Sequence, residues 1–357
     1  DYQTVVDTNF PARAEVLADE ILMYQPHLIG LQEVSLVLRQ SPGDVFLGNP
    51  VPATDVDMDY LQDLLAALTA RGLDYVVAAE VANADIELPL ITDTSLDDIR
   101  LVDRDVILVR SDVPFANAAT GNYADNVMID LSGAMIDFNR GWTAVDATIG
   151  DDTYRFVNTH LEVGSQPDIQ SLQAVELISI LENETRPIIL VGDFNASDQD
   201  PPNQAYAPLA AAGYVDIWLN RSVDDNDPGY TCCHEETLTN PVSLLDERID
   251  LVLARRGPVT FIEEVEGTVV GNNSGMLTPE GLWPSDHGGV VASFRFLGAA
   301  DDADGDGVTD SADNCLGIFN PLQRDTDNDG YGNRCDGDFD QNGVVAFLDL
   351  AYLRLNF

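Results

Sequence analysis

Seven polar residues of this chain stand where apolar, strand-like segments end, a setting that suits chemistry better than simple solvation. Glu33 closes the run that starts at Leu28, His160 closes RFVNTH, and Asp193 and Asn195 follow PIILVG. Asp250 interrupts RIDLV, and Asp286 and His287 come just before the last apolar run. Singly, an acid at a strand end is an ordinary turn residue or helix cap. As a set, four carboxylates and two of the chain's four histidines would be costly to bury without partners. Such groups persist when they share a metal ion or one another. The chemistry they suit is metal-assisted attack of water on a phosphate ester. Glu33 and Asp286 offer hard oxygen ligands to Mg²⁺ or Mn²⁺, which polarise a phosphoryl oxygen and offset developing charge. Asp193 can hold or deprotonate the water, Asn195 can bond a phosphate oxygen without adding negative charge, and Asp250 can orient His287 as a base.

A second concentration of acid lies near the C-terminus. From Asp302 the sequence runs D-A-D-G-D-G-V-T-D-S-A-D-N-C, and further on D-T-D-N-D-G-Y-G-N-R-C-D. Acids at alternate positions followed by Gly are the pattern of a calcium loop, because successive side chains converge on one cation while Gly allows the sharp turn. Cys315 and Cys335 sit inside this stretch, where a disulfide is the natural state and favours an oxidising compartment. Asp338, Asp340, Asn342 and Asp349 repeat loop spacing around Gly343 at the end of the chain. Cys232 and Cys233 are adjacent, and a disulfide, a zinc site or reduced thiols all remain open for them, with a structural role favoured.

These residues need elements to hold them. At 357 residues and 45% hydrophobic composition the chain is long and apolar enough for a large domain and a small one. Apolar spacing predicts helices over 11–25, 58–71 and 169–181. Strands are predicted over 28–31, 75–79, 105–109, 142–149, 154–158, 187–191, 248–253, 260–270 and 289–296. Helices and strands alternate loosely, so the expectation is mixed sheets with helices on their outer faces. The 17 basic residues are all Arg, stand against 62 acids and leave a net charge of −45, which excludes a general basic nucleic-acid binder. No run approaches the roughly 18 apolar residues of a membrane span. The chain is expected to be soluble and, if secreted, to have lost its signal segment.

In order along the chain, LQEV (31–34), NTHLE (158–162), VGDFNA (191–196), RIDLV (248–252) and SDHGGV (285–290) resemble the endonuclease/exonuclease/phosphatase superfamily, which includes DNase I, abasic-site endonucleases and neutral sphingomyelinases. The resemblance spans most of residues 1–297. It implies a DNase I-like α+β fold, a four-layer sandwich of two mixed β-sheets flanked by helices, with the site at one edge. It also implies metal ligation by Glu33 and Asp286, phosphate contacts from His160 and Asn195, a water-orienting Asp193 and a base dyad of Asp250 and His287. Asp103, in DRDVILVR, would support His160. Family members usually open on an apolar strand ending in an Asn that helps hold the metal. Here ten residues precede the first helix and Asn9 is the residue available, so a first strand is expected to be missing from the chain.

The acidic stretch resembles thrombospondin type 3 repeats, which implies a Cys315–Cys335 pair, Ca²⁺ ligands Asp302, Asp304, Asp306, Asp310 and Asp313, then Asp325, Asp327 and Asp329, and an irregular calcium-bound module over 298–337. Residues 338–357 resemble half of a dockerin EF-hand pair with ligands Asp338, Asp340, Asn342 and Asp349 and a following helix over 350–355. With one half present, a cohesin-type partner is not expected. The resulting expectation is a secreted or cell-surface metal-dependent phosphoesterase, a phosphodiesterase or nuclease. Residues 1–297 carry 49 acids and 14 Arg, so a phospholipid head group (as in sphingomyelinases), an inositol phosphate or another small ester stands beside nucleic acid as the substrate. A competing reading is a non-catalytic, calcium-dependent adhesion or scaffold protein.

Overall fold

The run DVILV is apolar without alternation because both of its faces are covered, and the fold is arranged around it. In a computed structural model, the residues described are 2–47, 50–92, 95–131, 134–201, 204–222, 227–256, 262–296, 302, 304, 306–339, 345 and 349. The chain opens with α1 (Tyr2–Asp7) and α2 (Phe10–Tyr24), then β1 (Leu28–Leu31), β2 (Leu36–Gln40), β3 (Asp55–Asp59) and α3 (Tyr60–Ala70). A long hairpin follows, β4 (Tyr75–Ile91) and β5 (Leu96–Arg110), then β6 (Phe115–Asn122), β7 (Val127–Leu131) and β8 (Ala134–Phe138). The second half holds β9 (Gly141–Ile149), β10 (Asp152–His160), α4 (Pro167–Ile180), β11 (Ile188–Asp193) and α5 (Tyr206–Ala211). It ends with β12 (Val215–Asp216), β13 (Asp250–Arg255), β14 (Ile262–Val270) and β15 (Gly289–Phe296).

Two large sheets face each other. In the first, β5 pairs with β4 along one side and with β1 and β2 along the other, and β3 pairs with β2. The second runs β12-β13-β11-β10-β9-β6. Side chains of β5 alternate between the two covers: Ile107 and Val109 pack against Val145, Ala147 and Phe156 of the facing sheet, while Val106 and Leu108 pack against the first pair of helices. Those helices bury Phe10, Ala14 and Ala18 of α2 and Leu61, Leu64 and Leu68 of α3. On the opposite side α4 and α5 cover the second sheet through Ala174, Leu177 and Leu209 against Val157, Leu190, Leu251 and Leu253. The layers are helix, sheet, sheet, helix, the expected α+β sandwich.

Several details differ from the sequence expectation. Only the second sheet is mixed, with β10 and β11 parallel; every pairing in the first is antiparallel. Residues 58 and 59, read as the start of a helix, instead close β3, and Asp59 then caps α3 by accepting from the amides of Leu61 and Gln62 at 3.2 and 3.4 Å. Asn9 lies in a left-handed turn, φ 45°, between α1 and α2. The edge of β1 away from β5 has no strand partner among the described residues. No helix among them is long and apolar enough to cross a membrane.

After residue 297 the character changes. Cys315 is the one apolar side chain buried among the described residues there, and it is joined to Cys335 with an S–S distance of 1.98 Å. Asp302, Asp306, Asp338 and Asp349 are buried instead. Asp340, Asn342 and the helix read over 350–355 lie outside the described residues, as does the domain boundary at 297.

Candidate active site

Strand register builds the centre of the site. His160 ends β10 directly opposite Asp193, which ends β11, and Asp193 in turn faces Asp250, which opens β13. Three chemically useful side chains thus occupy one row across neighbouring strands. Gly192 makes the row possible: at φ 148° its Cα passes so close to the Thr159 carbonyl that any Cβ would collide with it. The row is tied to the other sheet by Asn158, fully buried, whose Nδ2 donates to the carbonyls of Leu31 at 3.0 Å and Val106 at 3.3 Å. Gln32 donates to the same amide, holding the turn that carries Glu33.

His287 reaches this row from the loop before β15. Its Nδ1 lies 2.9 Å from Asp250 Oδ2, and ligand atoms of Asp193, Asp250 and His287 fall within 4.8 Å of one another. Burial works against a charged imidazole here, but the Asp250 hydrogen bond and charge, with Asp193 and Asp286 beyond, outweigh it and push the His287 pKa up to about 10. Burial and the Asp250 charge together raise the Asp193 carboxyl. Asp193 Oδ1 accepts from the Asn195 amide at 2.8 Å, and Oδ2 stands 3.4 Å from His160 Nε2.

His160 is almost fully buried, and that burial, reinforced by the charge of Arg140, pushes its pKa well below the ordinary value. The Arg140 Nη1 lies 2.9 and 3.0 Å from the two ring nitrogens and donates to the one with the lone pair. Arg140 Nε is buried with no hydrogen-bond partner. Arg140 directly precedes β9, whose Gly141 faces His160 in register, and that juxtaposition is not written in the sequence.

The expected support of His160 by Asp103 is not what the fold provides. Asp103 does not bond His160; it accepts from Asn83 Nδ2 at 3.5 Å and faces Arg140. Asp105, two residues on and on the same face of β5, accepts from Asn83 Nδ2 at 2.8 Å, and its second oxygen is buried without a partner. Asp105 was missed, although strand alternation from Asp103 would have found it. Asn195, expected to contact phosphate, uses Nδ2 to bond the Leu161 carbonyl at 3.0 Å and sits at φ 48°, closing the turn after Asp193.

Glu33, at φ 53°, is set among protein atoms opposite Asp103 and Asp286; that desolvation and the two neighbouring charges raise its pKa. Asp286 is positioned by its carbonyl, which accepts from the His234 amide at 2.8 Å, and by Arg13, whose Nη1 donates to the Pro284 carbonyl at 3.1 Å. Burial and the charges of Asp103 and Glu33 also raise Asp105. Hard oxygen donors crowded this way, with one orphaned buried carboxylate oxygen, fit a divalent cation, which relieves the repulsion.

The acidic tail forms three groupings whose ligand atoms lie within 4.8 Å: Asp302–Asp304–Asp306, Asp325–Asp327–Asp329 and Asp327–Asp336–Asp338. One carboxylate oxygen of Asp304 and both of Asp327 are buried without hydrogen-bond partners, which fits Ca²⁺. Asp310 and Asp313 fall outside these groups; Asp313 Oδ1 accepts from the Cys315 amide and the Gln323 side chain, both at 2.8 Å. Asp338 joins Asp327 and Asp336, which ties the last segment to the repeat before it. Asp349 is buried but belongs to none of the three groups.

The endonuclease/exonuclease/phosphatase family model matches residues 7–287, and the thrombospondin type 3 repeat model matches 300–323 and 324–349. The second repeat match therefore runs through much of the segment read above as a separate EF-hand half. Among solved structures, an endonuclease/exonuclease/phosphatase family protein from Leptotrichia buccalis is similar at TM-score 0.52 and 16% identity, over 80% of this chain and 93% of that one. A mannosyl-6-phosphatase from Bacteroides thetaiotaomicron gives 0.51 and 16%, over 83% and 95%. An endonuclease/exonuclease/phosphatase from Bacteroides vulgatus gives 0.50 and 20%, over 81% and 92%. At these identities the likeness is one of fold. No curated protein sequence matches the chain.

Proposed function

The chain belongs to the endonuclease/exonuclease/phosphatase family, whose members hydrolyse phosphate ester bonds, and from that premise we propose that it is a secreted, divalent-metal-dependent phosphodiesterase whose C-terminal repeats bind Ca²⁺. The observation that carries the catalytic reading is the convergence of Asp193, Asp250 and His287 within 4.8 Å, beside His160. Secretion is supported by the thrombospondin-type repeats and the Cys315–Cys335 disulfide, which belongs to an oxidising compartment.

Glu33 and Asp286 would hold Mg²⁺ or Mn²⁺. When bound there, the cation supplies Lewis-acid polarisation of the ester. Asp193, its carboxyl raised by burial and by Asp250, takes the proton from the attacking water. His287 is kept protonated by Asp250, so its Nε2–H faces the phosphate as a donor and offsets charge developing on oxygen. This departs from the sequence expectation of His287 as the base: the proton goes to Asp193. His160, neutral, and Arg140, with a free Nε–H, bind the non-bridging oxygens, and Asn195 fixes the turn that aims Asp193.

The test is nicking of supercoiled plasmid and turnover of bis(p-nitrophenyl) phosphate in Mg²⁺ or Mn²⁺, with EDTA and His287→Ala as controls. Turnover lost in both controls is expected, with a fall of roughly a thousand-fold for the variant and an unchanged fold. Turnover of the small ester without nicking would assign phospholipid head groups or small esters as substrates. Equal rates for His287→Ala and the unaltered chain would sink the dyad.

A further inference from the structure

We propose that the Cys232–Cys233 pair is a redox-modification site that governs His287, with a dithiol as its co-reactant. The inference rests on the reading of Asp250 and His287 as the catalytic dyad. Cys232 and Cys233 are joined as a vicinal disulfide, the first buried and the second exposed. Cys233 Sγ lies 3.7 Å from His287 Nε2, the ring nitrogen opposite the one bonded to Asp250. The sulfur therefore borders the imidazole edge that faces substrate.

The backbone around the pair laces the dyad together. Thr231 Oγ1 accepts from the amides of Ile249 and Asp250 at 3.2 and 3.1 Å, and the Thr231 carbonyl accepts from Gly288 at 2.7 Å. Cys232 bridges to both Glu247 and His287, and the His234 amide holds the Asp286 carbonyl. The four-residue stretch Thr231–His234 thus touches the segment bearing Asp250 and the segment bearing Asp286 and His287. A change at the sulfurs is felt at the dyad without crossing the core.

In the disulfide neither sulfur carries a proton or a charge, and His287 Nε2–H is left for substrate. A dithiol thiolate attacks the exposed Cys233 sulfur, breaks the Cys232–Cys233 bond and releases Cys232, which takes a proton. The second thiol of the reductant then closes its own cyclic disulfide and releases Cys233 as a thiolate; two electrons and one proton have passed to the protein, and the dithiol's other proton goes to solvent. The Cys233 thiolate, whose sulfur lies 3.7 Å from His287 Nε2, then takes the Nε2–H bond for itself. The reduced protein is the slower enzyme.

The test follows hydrolysis of bis(p-nitrophenyl) phosphate in Mg²⁺ by the full chain before reduction with dithiothreitol, after it, and after reoxidation. Alkylation and peptide mass mapping at each stage report which cysteines have opened. The expected result is alkylation at Cys232 and Cys233, a fall in kcat of at least about ten-fold with KM little changed, and recovery on reoxidation. The Cys232→Ser/Cys233→Ser variant should not respond to dithiothreitol, which also controls for metal capture by the reductant. An unchanged rate with both cysteines alkylated overturns the proposal, as does failure of the pair to open or a loss that tracks Cys315 and Cys335 alone. If no form of the protein hydrolyses the ester, it is the phosphodiesterase reading that fails. The switch is then judged by the His287 Cε1–H resonance, assigned by its absence in His287→Ala. That resonance should move on reduction in the unaltered chain and stay fixed in the Ser variant; a resonance that does not move overturns the switch.

Discussion

The sandwich and the acidic tail are both organised around carboxylates, but they bury opposite things. The sandwich hides Ile107, Val145 and Leu190 completely and brings its acids to the ends of strands whose positions those residues already fix. The tail hides Asp302, Asp306, Asp338 and Asp349, with Cys315 as its one buried apolar residue among those described. Apolar burial of about 25 cal/mol per Å² holds the first region with or without a cation. The second has no such reserve, and its clustered charges repel. On the function proposed above, a cation would be a guest in one region and the keystone of the other.

Chelation should separate the two most sharply. With EDTA under non-reducing conditions, tryptic cleavage at Arg324 and Arg334 is expected to accelerate by about a hundred-fold or more, as the tail opens, while the sandwich keeps its thermal midpoint. Peptide mapping reads this directly, and equal protection in Ca²⁺ and EDTA would put the tail on the same footing as the sandwich. Within the sandwich, Arg140→Gln should lower kcat/KM for a phosphodiester by roughly a hundred-fold by removing a buried donor. A comparable loss of stability instead would make Arg140 part of the scaffold. Asn158→Ala should cost about 2 kcal/mol in urea unfolding, since it leaves buried carbonyls of Leu31 and Val106 unmatched. The tail's proteolysis pattern should not change in that variant.

The last expectation concerns pH. His287 has its folded pKa raised from 6.5 to about 10, so the stability it contributes is fully present below 6.5 and is lost as pH rises through 10. In chelator, the midpoint of the sandwich should therefore decline across that window, and Asp250→Asn should flatten the decline. A midpoint that rises with pH over the same window would mean that His287 is not held charged.

Much of this was legible because strands carry their chemistry at their ends. Glu33, His160, Asp193 and Asp250 each follow or open a recognisable apolar run, and their order along the chain already matched a family. What escaped notice was polar or exposed. Residues 115–122, FANAATGN, form β6 with almost no buried side chain, so period-2 alternation had nothing to report. β4 was read only to Ala79 because its continuation carries Glu80, Asn83 and Asp85 and is broken by a register shift between Ala82 and Ala84. Arg140 and Asp105 act through residues far away in sequence, Arg140 through His160 and Asp105 through Asn83, and which strands lie side by side is a property of the fold rather than of spacing. Asp103 looked right by position but was claimed by Asn83.

The row His160, Asp193 and Asp250 has one further consequence. Side chains on a strand alternate faces, so slipping β11 by a single residue would turn Asp193 to the helix side and bring Gly192 or Phe194 into its place. There is no halfway arrangement in which the site is merely weakened. Molecules that zip these strands out of step are dead rather than slow, so the specific activity of a preparation counts the fraction of chains assembled in register.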